Sequence, residues 1–185
     1  MIAGVILAAG ESSRMVGQPK ALLAWEGETF LARLQRVFRA CCDEVFVVLG
    51  YHASALRPYV NCSEVVNPTP ELGMLSSLQT GLRSCASFDR ILFSPVDLAT
   101  FSLETVRRVV SLPECPIAMP RYRGARGHPV RVSRSVADEL IHFTGTAPRD
   151  VIRRFNAQAI YAEVEDPGIL VDVDTREDYE RLVRR

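Results

Sequence analysis

The stretch IAGVILAAGESSR, residues 2–14, opens with a nearly uninterrupted apolar run from Ile2 to Ala9 and stops at Gly10. A strand with one wet face alternates apolar and polar residues. A run that is apolar on both faces belongs to a strand covered on both sides, which is the habit of parallel sheets flanked by helices. The chain then repeats the unit. TFLARLQRVFRA (29–40) places Phe30, Leu31, Leu34, Val37 and Phe38 at helical spacing, with arginines on the other face. EVFVVLG (44–50) reads as a second buried strand and SEVVN (63–67) as a third. GMLSSLQTGLRSC (73–85) reads as a helix through Met74, Leu75, Leu78 and Leu82, and RILFSPVD (90–97) as a strand ending at a proline and an aspartate.

The second half is less regular. Leu103, Val106 and Val110 mark a helix, and CPIAMP (115–120), AIYAEV (159–164) and GILVDV (168–173) read as strands. SVADELIHF (135–143), PRDVIRRF (148–155) and TREDYERLVRR (175–185) are helical. Pro148 stands at a first turn, where its missing N–H costs little, and Thr175 with Asp178 forms a capping-box pattern. With no repeat and no linker, the expectation is one α/β domain over 1–185: a mainly parallel sheet with helices on both faces.

Composition narrows the partners. Lys plus Arg and Asp plus Glu are both 22, so no overall field favours nucleic acid. One local cluster, Arg121, Arg123, Arg126, Arg131 and Arg134, is either a solvated rim or an anion-binding loop. No segment reads as a signal peptide or a membrane span. The five cysteines are odd in number and have no Cys-x-x-Cys spacing, which argues against a disulfide framework or a zinc site. Reduced thiols in a cytoplasm are expected, with Cys41 and Cys42 closing a helix and packing inward.

In parallel sheets ligands bind beyond the carboxyl ends of strands, and that rule selects three loops: 10–20, 67–77 and 95–100. In the first, Gly10 lets backbone approach a ligand, and Ser12 and Ser13 add donors. Arg14 offers a fork to phosphate oxygens and Lys20 a movable point charge. Neither the three-glycine dinucleotide turn nor Gly-Lys-Ser/Thr is present, so hydride transfer on a dinucleotide is disfavoured. Asp97 ends a strand where a carboxylate can hold Mg²⁺ beside substrate phosphates. Asp172 and Asp174, two apart on an expected strand, share one face and could add a metal ligand, or Asp174 only favours the next helix dipole. Gly73, Ser76 and Ser77 open a helix whose free N–H groups and hydroxyls either read a base or ribose or simply cap it. His128 contacts a substrate or hydrogen-bonds within its turn. No nucleophile–base pairing stands out.

LAAGESSRMVGQPKALL (7–23), NPTPELGMLSSLQTGL (67–82), SPVDL (94–98), GARGHPV (124–130) and DVDTREDY (172–179) together resemble the MobA-like nucleotidyltransferases, most closely the molybdenum cofactor cytidylyltransferase branch. The resemblance runs from residue 4 to about 182. It implies a three-layer, Rossmann-like, glycosyltransferase-A-type fold and Mg²⁺-dependent transfer of CMP from CTP, or a nucleotidyl group from another NTP, to a phosphorylated acceptor. Molybdopterin is the acceptor it points to, with pyrophosphate released. By position it sets Ala8, Ala9 and Gly10 against base and ribose, Arg14 and Lys20 on the triphosphate, Ser77 at the base, Asp97 on Mg²⁺, and Gly127, His128 and Pro129 facing the acceptor. LAAG, where related guanylyltransferases carry LAGG, leans toward CTP. A molybdoenzyme or its maturation chaperone would be a protein partner. Two departures concern the acceptor side: Asp97-Leu98-Ala99 where Asp-Gln-Pro is common, and GTAPRD (145–150) where GDxGAR is common. They leave open another acceptor, such as a sugar 1-phosphate, or a non-catalytic nucleotide-binding maturation factor.

Overall fold

The computed structural model describes residues 1–15 and 18–184. The opening run forms β1 (Ile2–Ala8), in which every residue is buried. A short hairpin, β2 (Ala24–Trp25) and β3 (Glu28–Thr29), leads into α1 (Phe30–Arg39), whose first turn is capped by the Thr29 side chain accepting from Ala32 N at 3.2 Å. There follow β4 (Glu44–Leu49), α2 (Ala53–Leu56), β5 (Ser63–Val66), α3 (Gly73–Ser84) and β6 (Arg90–Pro95). The second half adds α4 (Leu103–Ser111), β7 (Ile117–Tyr122), β8 (Ala125–Arg126), β9 (Val130–Ser133), α5 (Arg134–His142), α6 (Pro148–Arg154), β10 (Ile160–Glu163) and α7 (Arg176–Val183).

The sheet runs in the order β10-β7-β9-β6-β1-β4-β5, with β8 on β7. Its pairs are parallel except those made by β9 and β8, so the expected mainly parallel sheet is present, with β9 reversed between β7 and β6 and the short β8 reversed beside β7. Side-chain alternation along β1 builds two cores. Ile2, Ile6 and Ala8 join α1 and α4 on one face; Ala3, Val5 and Leu7 join α3 and α5 on the other. Both faces being covered is the physical cause of the uninterrupted run.

Close packing makes specific demands. A Cβ on Gly81 of α3 would stand 2.6 Å from Val5 Cγ1 and 2.9 Å from Val48 Cγ2, so the bare glycine sets how near the helix lies to the sheet. Gly81→Ala is expected to lower stability by about 1–3 kcal/mol through overpacking, read by urea unfolding.

Two expectations need correction. Residues 168–173 form no strand: Pro167–Leu170 is a 3-10 turn, and the segment crosses the strand ends instead of pairing along one. Beside the local turn bonds, its backbone has tertiary partners, with Thr100 Oγ1 donating to Gly168 O at 2.8 Å and Val173 N to Asp97 O at 3.2 Å. The arginine cluster is also not one patch. Arg131 is 1 % exposed, and Arg134 is occupied by Asp138 and the Cys85 carbonyl. Arg121 pairs with Glu163, and Arg126 reaches Asn156 at 2.8 Å. The Thr175–Asp178 capping box is present as expected.

Candidate active site

Strand register gathers the loops at one edge. Ala8 faces Leu49 and Leu7 faces Pro95, so β1, β4 and β6 end together. Val96 N donates to Leu7 O at 3.0 Å, Tyr51 N to Ala9 O at 3.3 Å, and Asn67 N to Leu49 O at 2.8 Å, knitting the loop starts into a floor. Above it lies a cavity of about 250 Å³. Ala8, Ala9, Gly10 and Ser12 line one side, Gly73 and Ser77 another, and Lys20 and Asp97 a third. A Cβ added at Gly10 or Gly73 would meet nothing within 4 Å, so both present bare backbone to open space; Gly73 also has φ +84°.

Ser12 shapes the first loop. Its φ is +56°, its carbonyl accepts from Met15 N at 2.8 Å, and its Oγ accepts from Lys20 N at 3.1 Å. That bond folds the loop back and delivers Lys20 to the strand edge. The Lys20 side chain is mostly buried, with Nζ 2.5 Å from Asp174 Oδ1 and 3.1 Å from Asp97 Oδ2. Burial pulls its pKa down, but hydrogen bonds and charge from Asp174 and Asp97 outweigh that and leave it raised, so the ammonium stays charged. Arg14, largely exposed, approaches Asp174 Oδ2 at 3.5 Å. Both cations therefore stand on one rim.

The three aspartates meet there too. One carboxylate oxygen from each of Asp97, Asp172 and Asp174 lies within 4.8 Å of the others. The strand expected to align Asp172 with Asp174 is absent; the crossing segment brings them instead, pinned by the bond from Val173 N to Asp97 O and by the capped start of α7. Partial desolvation, then the negative charges of Asp97 and Asp174, push the Asp172 carboxyl up to about 6. Crowded carboxylates of this kind fit a hard divalent cation, which takes oxygen ligands and relieves their repulsion.

The far wall is a polar network. Buried Asn67 donates from Nδ2 to Ser77 Oγ at 3.1 Å and accepts from Thr69 N at 3.0 Å and Ser76 Oγ at 3.2 Å. Ser76 thus points into the network, whereas Ser77 lines the cavity. Tyr51 and His52 also line it, His52 Nε2 donating to Glu11 O at 2.6 Å. No motif marks these two; the strand-end rule applied to β4 would have found them.

The 127–129 loop stands outside the cavity lining, tied to the segment that carries Asp172. Gly127 N donates to Pro120 O at 3.1 Å and His128 N to Ile169 O at 3.2 Å. A Cβ on Gly127 would fall 2.2 Å from Ile169 O, so only glycine fits. The half-buried His128 ring meets Phe93 edge-on at 6.1 Å, and Pro129 follows through a cis bond. His128 Nδ1 is buried with no hydrogen-bond partner among the described residues, and burial pushes the ring's pKa down to about 4, so it is neutral near pH 7.

Residues 4–163 match the family model described as MobA-like NTP transferase domain. The chain is 28% identical over 180 residues to the molybdenum cofactor cytidylyltransferase of Escherichia coli, covering 95% of this chain and 92% of that one. It is 30% identical to the nicotine blue oxidoreductase of Paenarthrobacter nicotinovorans, covering 98% and 96%. Among solved structures, a manganese complex of Rv0371c from Mycobacterium tuberculosis superposes with a TM-score of 0.80 at 29% identity, covering 99% of this chain and 98% of that one. The Rossmann-like, mostly parallel sheet is shared with that solved structure. No helix among the described residues is long and apolar enough to cross a membrane.

Proposed function

The chain belongs to the MobA-like NTP transferase domain family and is a nucleotidyltransferase, and we propose that it transfers CMP from CTP to a phosphorylated acceptor, the molybdenum cofactor, in the cytoplasm. One observation carries the reading: Lys20 lies between Asp97 and Asp174, with Arg14 beside them, at the mouth of a cavity floored by Ala8–Gly10. A nucleoside triphosphate suits that layout, its base and ribose toward Ala8, Ala9, Gly10, Gly73 and Ser77 and its phosphates toward Arg14 and Lys20. Ser12 and Ser76 serve as supports, one folding the first loop and the other bracing the Asn67 network.

An acceptor phosphate oxygen attacks the α-phosphorus, the bond to the bridging oxygen of the β-phosphate breaks, and pyrophosphate leaves with that electron pair. This chemistry asks for positioning and charge neutralisation, not a covalent protein intermediate. Arg14 and Lys20 offset charge developing between the α- and β-phosphates. Asp97, Asp172 and Asp174 are the residues that would hold Mg²⁺, which supplies further neutralisation when bound. Gly127, His128 and Pro129 face the acceptor, with neutral His128 as a hydrogen-bonding group there.

LAAG at residues 7–10 and the cytidylyltransferase relative support CTP. The nicotine blue oxidoreductase relative makes hydride transfer the second reading; the absence of a three-glycine turn speaks against it. The test is a panel of CTP, GTP and ATP against molybdopterin-type and sugar 1-phosphate acceptors, scored by pyrophosphate release, with oxidation of a reduced nicotinamide measured in parallel. Pyrophosphate from CTP with the molybdenum cofactor is expected. Release only with a sugar phosphate moves the acceptor, tight CTP binding without any product favours a non-catalytic maturation factor, and nicotinamide oxidation alone favours the oxidoreductase.

A further inference from the structure

Asn67 ends the chain's run along β5 and is 2 % exposed, while Ser77, one helical turn into α3, lines the cavity. The orientation of the Asn67 amide is fixed by its surroundings. Thr69 N–H can only donate, and it sits 3.0 Å from Oδ1; the Ser76 hydroxyl adds a second bond to the same oxygen at 3.2 Å. Nδ2 must therefore be the atom facing Ser77 Oγ at 3.1 Å, and an amide nitrogen can only donate. Ser77 Oγ is thereby committed as an acceptor toward Asn67. Among the described residues its own proton has a single protein acceptor, the Gly73 carbonyl at 3.4 Å, which is at the long limit for such a bond. The hydroxyl proton is left for whatever occupies the cavity.

We infer that Asn67 is a positioning residue for nucleotide selection: it holds Ser77 as a hydrogen-bond donor aimed at an acceptor atom of the base, such as the O2 or N3 of a cytosine ring. The inference rests on the nucleotide-binding reading of the cavity and adds to it which polarity the wall presents, and why. Asn67 itself stays out of the cavity lining. A base edge that offers only N–H groups at this point would meet a donor with a donor, and a buried unpaired group is expensive.

Asn67→Asp reverses the polarity at nearly constant shape. The carboxylate keeps the Thr69 N–H but takes the Ser77 proton, turning the hydroxyl away from the cavity. Dissociation constants for CTP and for inorganic tripolyphosphate, both with Mg²⁺, separate base recognition from phosphate binding. Asn67→Asp is expected to weaken CTP roughly five- to tenfold, the fold-change of one lost hydrogen bond, and to leave tripolyphosphate unchanged. Ser77→Ala should give a similar loss, and the double variant should be no worse than either single one. Asn67→Ser, which keeps an acceptor for Thr69 but is too short to reach Ser77, should give the same selective loss and serves if the aspartate variant fails to fold. CTP affinity equal to the parent's, equal weakening of both ligands, or losses that multiply in the double variant would each overturn the inference. A parent protein that binds tripolyphosphate but shows no preference for CTP over it overturns the nucleotide reading and this inference with it.

Discussion

Asp97→Ala will release pyrophosphate at least about a hundredfold more slowly than the parent enzyme while unfolding at nearly the same temperature. Asp97 stands where β6 runs out, its carboxylate shared between Lys20 and the neighbouring Asp172 and Asp174. Removing a preorganised charge contact at a reacting phosphate costs on the order of 2.7–4 kcal/mol of barrier. Stability suffers little by comparison. The Asp97 side chain is partly exposed, Lys20 keeps Asp174 as a partner, and the backbone carbonyl still receives Val173 N. Asp97→Asn should behave like the alanine variant in turnover, because it preserves shape and removes charge. Steady-state pyrophosphate release and a thermal melt on the same preparations check both halves; near-parent turnover in either variant removes Asp97 from the reaction.

The largest effect on stability is expected at Arg131. Its guanidinium, 1 % exposed on β9, donates to Val110 O at 2.9 Å, Leu112 O at 2.8 Å and Pro113 O at 2.6 Å, at and beyond the carboxyl end of α4. A cation there is favoured by the helix dipole and satisfies carbonyls that a helix end leaves open. Arg131→Ala leaves several of those oxygens without a partner, at about 1–3 kcal/mol for each that water does not reach, and opens a cavity in the middle of the sheet. The net loss should be about 3 kcal/mol, or roughly 6–12 °C in Tm for a chain of this size. The folded fraction should keep its kcat, because Arg131 faces away from the cavity toward α4. Arg131→Lys should recover only part of the loss, since a point charge cannot span three carbonyls.

Arg131 also marks where sequence reading ends. In the sequence Arg131 falls in an arginine cluster that reads as a solvated rim or an anion-binding loop; only the closeness of α4's last carbonyls makes it a fully buried side chain. β1 is the opposite case. Its burial on both faces is written in Ile2–Ala8, and with it the sheet edge where Lys20 and Asp97 meet. GILVDV looks like a strand, yet its first half is a turn held at Gly168 by Thr100, and at its far end Val173 N bonds to Asp97 O. Asp172 and Asp174 reach the site by a route that periodicity does not encode. Asn67 reads as the last residue of the strand SEVVN, where the 67–77 loop begins, and its amide network with Ser76 and Ser77 depends on how β5 and α3 are brought together.

The central claim is that cations and carboxylates on this rim move a nucleotidyl group off a triphosphate. CTP labelled at the α-phosphorus, mixed with the enzyme, Mg²⁺ and molybdenum cofactor, tests it most directly. The label should appear in a cytidylated acceptor, matched one for one by unlabelled pyrophosphate. Label that stays in intact CTP while the nucleotide is demonstrably bound would contradict it.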